Sequence, residues 1–119
     1  MTRAQLGALG EQLAVDHLIA QGWVIVARNW RCRQGELDVI AADAAMRTVV
    51  FVEVKTRTGD GFGGLPYAVP PPKVRRLRLL AGAWLAGQHN RFQDIRLDVI
   101  GVRIGRRRSP EICHLQGVG

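Results

Sequence analysis

The segment from Thr48 to Lys55 constrains the fold of this chain more than any other part of its sequence. Its middle consists of β-branched and aromatic residues, which favour a β-strand over a helix. A strand needs neighbouring strands, so other segments must supply the rest of a sheet. With 119 residues in total, the chain has the size of one domain with one hydrophobic core. We therefore predict a single domain over residues 1–119.

The remaining sequence predicts two helices and four further strands. Thr2-x-x-Gln5 is a capping box that starts a helix from Arg3 to Gln21. Three prolines at 70–72 open a second helix that ends near Gly87. The strands are predicted at Val24–Asn29, Glu36–Ala42, Thr48–Lys55, Arg96–Arg103 and Glu111–Leu115. The turns and loops between these elements are predicted at 30–35, 43–47, 58–72 and 105–110.

The resulting order, α-β-β-β-α-β-β, predicts an α/β fold. Short connections join the first three strands, which should form an antiparallel meander. The long connection from the third strand through the second helix to the fourth strand suits a parallel crossover. We therefore predict a mixed sheet of about five strands, with one helix against each face or both helices against one face.

Two carboxylates are predicted to oppose each other in the hairpin of the second and third strands. Side chains alternate faces along a strand, so Glu53 and Lys55 share one face, as do Glu36 and Asp38. If the turn is symmetric about residues 45 and 46, Asp38 faces Glu53 and Glu36 faces Lys55. Opposed carboxylates destabilise a sheet, but a hard divalent cation such as Mg²⁺ binds through such oxygens. The alternative places both carboxylates on a solvated face, although the apolar residues beside Glu53 indicate partial burial.

A third carboxylate, Glu11, lies on a predicted apolar stripe of the first helix. The stripe has helical spacing and contains Ala4, Gly7, Glu11, Ala14 and Leu18. A glutamate on a buried stripe needs a partner. Gly7 and Gly10 would let the helix approach the sheet closely enough for Glu11 to reach the same metal. A glutamate that extends to solvent at the edge of the stripe is the alternative.

Lys55 completes a candidate catalytic site with Asp38 and Glu53. An ammonium in such a site can orient the attacking water and neutralise the scissile phosphate. Glu-x-Lys in a strand is common by chance. The prediction therefore depends on its combination with a carboxylate on a paired strand and another on a preceding helix.

The charge balance indicates a polyanionic partner. Seventeen Lys and Arg residues stand against ten Asp and Glu residues, for a net charge of +7, and fifteen of the seventeen are arginine. Arginine binds phosphate bidentately, and these arginines cluster, so a nucleic acid is favoured over a merely basic solvated surface. The cations expected to ring the site are Arg57, Lys73, Arg75, Arg76 and Arg78. Four of them occupy the first turns of the second helix, where the macrodipole disfavours positive charge. A solvated helix face is the alternative explanation for those four.

No pattern in the sequence suggests export or a membrane. Arg3, Glu11 and Asp16 interrupt any secretory signal near the N-terminus, and no apolar run approaches the ~18 residues that a membrane helix needs. The cysteines and histidines are dispersed, which gives no zinc or disulfide pattern. We expect a cytoplasmic protein without a membrane partner.

Short motifs along the chain resemble the YraN-like family of bacterial endonuclease-like proteins. The motifs are Gly10-Glu11, Arg28-Asn29, Gly35-Glu36-Leu37-Asp38, Phe51-Val52-Glu53-Val54-Lys55-Thr56-Arg57, Phe62-Gly63, Lys73 and Arg96-Leu97-Asp98-Val99. The resemblance covers nearly the whole chain, and Leu97 departs from the phenylalanine usual in the family. That family is similar to archaeal Holliday-junction resolvases and belongs to the restriction-endonuclease-like, or PD-(D/E)XK, superfamily. The resemblance therefore implies a restriction-endonuclease-like core.

The same resemblance implies roles for individual residues. It places Glu11, Asp38 and Glu53 on metal-ligand positions, the Val54 carbonyl as a further ligand and Lys55 as the catalytic lysine. Mg²⁺ or Mn²⁺ is the implied cofactor. Glu36 and Asp98 are candidates for carboxylates that support these ligands from behind, and a structural role facing a helix is the alternative for Asp98.

Three functions follow from these observations. The first is a metal-dependent endonuclease that hydrolyses phosphodiester bonds in DNA. By analogy with the resolvases its substrate is branched or junction DNA, and a homodimer would suit two symmetric cuts. The second is a nucleic-acid-binding module that retains the nuclease fold without useful catalysis. The third is an adaptor for protein or ribosome interaction, which the charge alone supports.

Overall fold

The computed structural model describes residues 1–59, 69–105 and 109–119. These residues form two helices and a five-stranded sheet, which confirms the predicted element order. The elements are α1 (Arg3–Ala20), β1 (Val24–Cys32), β2 (Gly35–Ala42), β3 (Thr48–Thr58), α2 (Pro71–Ala86), β4 (Asp94–Ile104) and β5 (Glu111–Leu115).

The sheet has the strand order β1-β2-β3-β4-β5. Its first three strands form an antiparallel meander, β3 and β4 are parallel, and β4 and β5 are antiparallel. The α2 helix lies in the connection between the two parallel strands, because a parallel pair needs a long crossover. The prediction of a mixed sheet with one parallel pair is therefore confirmed.

One helix packs against each face of the sheet, which was one of the two predicted arrangements. Apolar residues of α1, among them Ala14 and Leu18, are buried with Val50 and Val52 of β3. Phe51 lies between these two valines and points to the other face of the sheet, where it is buried with apolar residues of α2. Trp84 of α2 belongs to this second cluster and contacts the Phe51 ring edge-on at 5.6 Å between ring centroids. Neither helix in the described residues is long and apolar enough to cross a membrane.

The predicted element boundaries differ from the structure mainly at the ends of two strands. β1 does not end at Asn29 but continues to Cys32, since its last residues pair with the start of β2. β3 does not end at Lys55 but continues to Thr58, since its polar end pairs residue by residue with β4. Most of the predicted loop after β3 and the middle of the turn before β5 lie outside the described residues.

Candidate functional site

The site is built where β2 and β3 separate. The two strands pair in the predicted register from Ala42↔Val49 to Val39↔Val52. Beyond that last pair the ladder stops, although both strands continue. Leu37 packs on the same face of the sheet as Ile40 instead of alternating with it, so β2 is irregular at Asp38. We call this point, with Asp38 on one strand and residues 53–55 on the other, the β2–β3 fork.

Asp38 occupies the fork between the two strands. The Val54 N–H, which has lost its ladder partner, donates to Asp38 Oδ2 at 2.8 Å. The half-buried position raises the pKa of Asp38 from 3.8 to about 6, mainly by desolvation and further by the neighbouring carboxylates of Glu11, Glu53 and Glu36, while the Val54 hydrogen bond opposes the shift. The Asp38 carboxylate is therefore in an environment that disfavours its charge and would favour a nearby cation.

Glu53 carries the least satisfied polar atom at the fork. Its side chain is 12% exposed, and Lys55 Nζ lies 3.6 Å from its Oε1. The Oε2 atom is buried and accepts no hydrogen bond from the described residues. An uncompensated buried carboxylate oxygen destabilises a fold, so this atom indicates a ligand that supplies positive charge.

The prediction that Glu36 faces Lys55 is wrong. Glu36 is instead paired with Arg31, whose Nε lies 2.9 Å from Glu36 Oε2. The physical reason is the fork: once β2 leaves β3, Glu36 remains opposite Arg31 on β1, and Lys55 is left with Glu53 of its own strand. Glu36 still lies close enough to raise the pKa of Asp38.

Glu11 approaches the fork from α1 and is 13% exposed. Arg28 Nε and Nη2 donate to Glu11 Oε1 at 3.3 and 3.2 Å, and Asn29 Nδ2 donates to the same oxygen at 2.9 Å. Asn29 adopts the left-handed conformation with φ 53°, which an asparagine tolerates better than most residues. Both donors belong to β1, so α1 and β1 meet around this carboxylate.

The close approach of α1 to the sheet depends on Gly10 and not on Gly7. A Cβ added at Gly10 would lie 2.8 Å from the Cβ and Cγ2 of Thr56 and closer still to its hydroxyl, whereas a Cβ added at Gly7 would meet nothing within 4 Å. Gly7 and Ala4 are exposed, and within the predicted stripe only Ala14 and Leu18 are buried. The part of the prediction that concerned Gly7 is wrong, because an open cleft lies between Gly7 and the end of β3.

A cleft of about 760 Å³ opens beside these first turns, between α1 and the end of β3. We call it the α1–β3 cleft. Its walls include Glu11, Asp38 and Val54 together with three arginines, Arg3, Arg57 and Arg103. Two predicted ligand carboxylates and the predicted carbonyl residue thus share one accessible space.

Some of the predicted basic residues of α2 lie near Glu53 and Lys55, and others do not. Lys73 lies beside Lys55, and this contact with a second ammonium is the main reason why the pKa of Lys73 is lowered. Glu53 and Arg76 are also near enough to influence Lys73. Arg75 is exposed on α2, and Arg78 lies beside Gly119 and not beside the carboxylates. Two neighbouring cations next to Glu53 form a surface suited to a phosphate.

Asp98 belongs to a separate polar cluster. It is fully buried and accepts hydrogen bonds from Arg96 Nε and Nη2 at 2.9 Å each and from the Gly117 N–H at 3.0 Å. His114 Nε2 lies 2.7 Å from its Oδ2, and His17 Nε2 of α1 lies 3.1 Å from His114 Nδ1. Burial raises the pKa of Asp98, but the hydrogen bonds from His114, Arg96 and the Gly117 N–H outweigh burial and hold that pKa below its usual value. Asp98 thereby links β4 to β5, the C-terminal segment and α1, which favours the structural alternative.

The donor set at the fork suits a hard divalent cation. Within the described part of the chain, no three His, Cys, Asp or Glu side chains are already arranged as a metal cage. Mg²⁺, however, binds through one or two carboxylates and keeps several waters. The unsatisfied Oε2 of Glu53 and the disfavoured charge of Asp38 supply two such carboxylates, so the residues present fit the predicted metal.

Sequence reasoning missed four residues that the structure brings to this region. Arg28 and Asn29 appeared only as a motif, and their hydrogen bonds to Glu11 were not predicted. Two polar residues between the apolar start of β1 and Trp30 were the signal available. Arg3 and Arg103 had no local signal, because only the packing of α1 against β3 brings them to one cleft.

The fold and the site together define an α/β protein with two helices, a five-stranded mixed sheet and a group of acidic residues at the β2–β3 fork. The model of the uncharacterised protein family UPF0102 matches residues 10–102, and the chain belongs to this family. This confirms the resemblance to the YraN-like family.

Mycobacterial members of the family are similar to the chain over its full length. It is 72% identical over 119 residues to a UPF0102 protein of Mycobacterium avium (strain 104), with 100% of this chain and 93% of that protein covered. It is 72% identical to the UPF0102 protein of Mycobacterium ulcerans (strain Agy99), with 100% and 98% covered. It is 67% identical over 122 residues to the UPF0102 protein of Mycobacterium tuberculosis (strain ATCC 25177 / H37Ra), with 100% and 95% covered.

Proposed function

We propose that this protein is a metal-dependent endonuclease that hydrolyses phosphodiester bonds in DNA. The observation that carries the proposal is the buried Oε2 of Glu53, which no described donor satisfies, at the fork that also holds Asp38. A protein that only binds nucleic acid gains nothing from bringing two carboxylates together, because their mutual repulsion destabilises the fold. A bound cation would convert that repulsion into attraction.

Each residue of the fork has a role in this proposal. Glu53, Asp38 and Glu11 would hold Mg²⁺ or Mn²⁺, with the Val54 carbonyl as a further oxygen donor. When bound, such an ion activates water, polarises the phosphoryl group and stabilises the leaving oxygen. The Lys55 side chain is 36% exposed and close to Glu53, so its ammonium can reach the scissile phosphate, neutralise its charge and orient the attacking water.

Substrate binding would use the cations beside Lys55. Lys73 adjoins Lys55, and Arg76 lies near Lys73, so a phosphate bound between them would relieve the repulsion of like charges. The resemblance to junction resolvases makes branched DNA the first substrate to test. Two cuts related by symmetry would require a homodimer.

One observation favours an alternative function, a nucleic-acid-binding module that has kept the fold without useful catalysis. Glu11 already accepts hydrogen bonds from Arg28 and Asn29, and its ion pair with Arg28 competes with any metal for the same carboxylate. In a binding module this pair would be permanent. In a nuclease it would hold Glu11 in place until the metal binds.

A cleavage assay separates the two functions. The protein is incubated with Mn²⁺ and labelled DNA as a four-way junction, a flap, a single strand and a duplex, and with a structured RNA. The proposal expects cleavage of at least one DNA that stops when EDTA removes the metal. Tight binding to one structure without cleavage by any variant would establish the binding module instead.

Matched variants exclude a contaminating nuclease. Glu53→Gln removes one negative charge but keeps the shape of the side chain, and Lys55→Ala removes the ammonium. Both should abolish cleavage. Asp94→Asn also removes one carboxylate, but at the exposed start of β4, and it should cut as the wild type does. Isothermal titration with Mn²⁺ gives a second readout, since Glu53→Gln should also lose metal binding.

A further inference from the structure

The charges along the α1–β3 cleft are separated into an acidic end and a basic end. Gly10 of α1 contacts Thr56 of β3, and the residues that follow Gly10 pack against Val52 and Val50, so the helix runs antiparallel to the strand. Glu11 and Asp38 therefore lie at one end of the cleft. Arg3, at the start of α1, lies at the other.

Two further arginines lie at the basic end. Arg57 follows Val54 by three residues, which is roughly 10 Å along a strand, and it is paired with Arg103 of the neighbouring β4. Both residues line the cleft with Arg3. Arg3 and Arg57 are exposed, so their guanidinium groups are available to a ligand in solvent.

The position of Arg3 is unfavourable unless an anion is nearby. The first turn of α1 contains no acidic residue, although the positive end of the macrodipole favours Asp or Glu there and disfavours Arg. A phosphate would offset this cost, because a guanidinium binds phosphate bidentately.

We infer that the α1–β3 cleft is the track of the substrate strand and that Arg3 and Arg57 bind one of its phosphates away from the reacting one. This inference rests on the proposed function, which sets the reacting phosphate at the fork. Eight residues of helix separate Arg3 from Glu11, a distance of about 12 Å. In a DNA duplex each strand rises about 3.4 Å per nucleotide along the axis, so on a duplex the phosphate at the basic end is three or four nucleotides from the fork.

A binding experiment without metal tests the track separately from catalysis. The probe is a fluorescein-labelled oligothymidylate of about 12 nucleotides, titrated in EDTA with fluorescence anisotropy as the readout. The variants are Arg3→Glu, the double variant Arg3→Glu with Arg57→Glu, and the control Arg47→Glu. Arg47 is exposed and precedes β3 at the end opposite the cleft, so the control changes the net charge without touching the track. Glutamate suits the first turn of α1, so Arg3→Glu should fold at least as well as the wild type.

The track predicts a loss that depends on position. The double variant should bind at least about tenfold more weakly near 0.1 M salt, and its salt slope should fall by about 0.7, because one phosphate contact contributes about 0.7 for a single strand. Arg47→Glu should weaken binding by less than about twofold. Equal losses in Arg47→Glu and Arg3→Glu would overturn the inference, since they would show a general effect of net charge. Unchanged binding in the double variant would overturn it as well.

The cleavage assay shows which proposal fails. If the double variant cuts with an unchanged KM while Glu53→Gln is inactive, the nuclease stands and the track is wrong. If no protein cuts but the double variant alone loses binding, the track stands and the nuclease is wrong. A raised KM with an unchanged kcat in the double variant would support both, because Arg3 and Arg57 would contribute binding and not chemistry.

Discussion

Replacement of Asp38 by asparagine should stabilise the metal-free protein at neutral pH, although it removes a proposed ligand. The folded state raises the pKa of Asp38 from 3.8 to about 6. One pKa unit corresponds to about 1.4 kcal/mol, so a shift of this size is equivalent to about 3 kcal/mol of destabilisation when the carboxylate is charged. Asparagine is neutral, and its oxygen can still accept the Val54 N–H that Asp38 Oδ2 accepts at 2.8 Å.

The expected gain is smaller than this upper limit. Asp38 is only half-buried, so water screens its charge, and a neutral acceptor forms a weaker hydrogen bond than a carboxylate. We expect the free energy of unfolding of Asp38→Asn to exceed that of the wild type by roughly 1 to 3 kcal/mol in EDTA near pH 7.5. For a domain of this size, each kcal/mol raises Tm by roughly 3 to 6 °C.

The pH dependence identifies the cause. The folded-state pKa of Asp38 lies above the unfolded-state value, so the folded wild type binds more protons between the two values. Relative to the variant, the wild type therefore keeps its full free energy of unfolding below about pH 4, where Asp38 is protonated. It loses stability as the pH rises through about 6 and Asp38 becomes charged. Urea unfolding of both proteins in EDTA should be measured from about pH 4 to 8. The difference between their free energies of unfolding should grow as the pH rises through about 6 and stay constant at higher pH.

Metal should reverse the order of stability. A ligand that binds only the folded state, at a concentration of a hundred times its Kd, adds about 2.7 kcal/mol to the free energy of unfolding. Mn²⁺ should stabilise the wild type by this amount but should not stabilise Asp38→Asn. The reasoning is refuted if the variant is less stable than the wild type in EDTA, or if their difference does not change with pH. Equal stabilisation of both proteins by Mn²⁺ would remove Asp38 from the metal site. As a control, Asp94→Asn at the exposed start of β4 should change stability by less than about 0.5 kcal/mol at every pH.

Three further predictions concern the supports of the site and the separate polar cluster. Gly10→Ala should destabilise the fold by about 1 to 3 kcal/mol in urea unfolding, despite a helix preference for alanine of about 1 kcal/mol, because the added methyl group clashes with Thr56; an unchanged stability would contradict the close approach. Asn29→Gly keeps the left-handed backbone at φ 53° but loses the hydrogen bond to Glu11. Calorimetry should therefore show an affinity for Mn²⁺ that is lowered by roughly 10-fold or more, with little change in Tm. A lowered Tm with normal affinity would give Asn29 a structural role only. Burial, and secondarily His114, lowers the pKa of His17, so the folded protein should lose stability as the pH falls below about 6.5, and His17→Asn should flatten this dependence; a slope equal to that of the wild type would show that another group titrates.

The element order and the register of the β2–β3 hairpin were predictable from local patterns alone. A capping box, a run of β-branched residues and three prolines each act within one or two turns of chain. The register followed because the turn between Ala42 and Thr48 is short, which leaves few ways to pair the apolar faces of the two strands. The Glu53–Lys55 pair could be found in the same way, since it needs only the alternation of one strand.

Only the tertiary structure decided how these residues are satisfied. The separation of β2 from β3 at Asp38 directs Glu36 to Arg31 instead of Lys55 and leaves Glu53 Oε2 without a donor. The position of α1 beside the fork depends on contacts between residues far apart in sequence, such as those of Glu11 with Asn29 and of Gly10 with Thr56. The sequence by itself determined that Glu11, Asp38 and Glu53 lie near one another, because periodicity sets the face on which a side chain lies. Their partners, their burial and their pKa values depend on the space between packed elements, and no local pattern specifies that space.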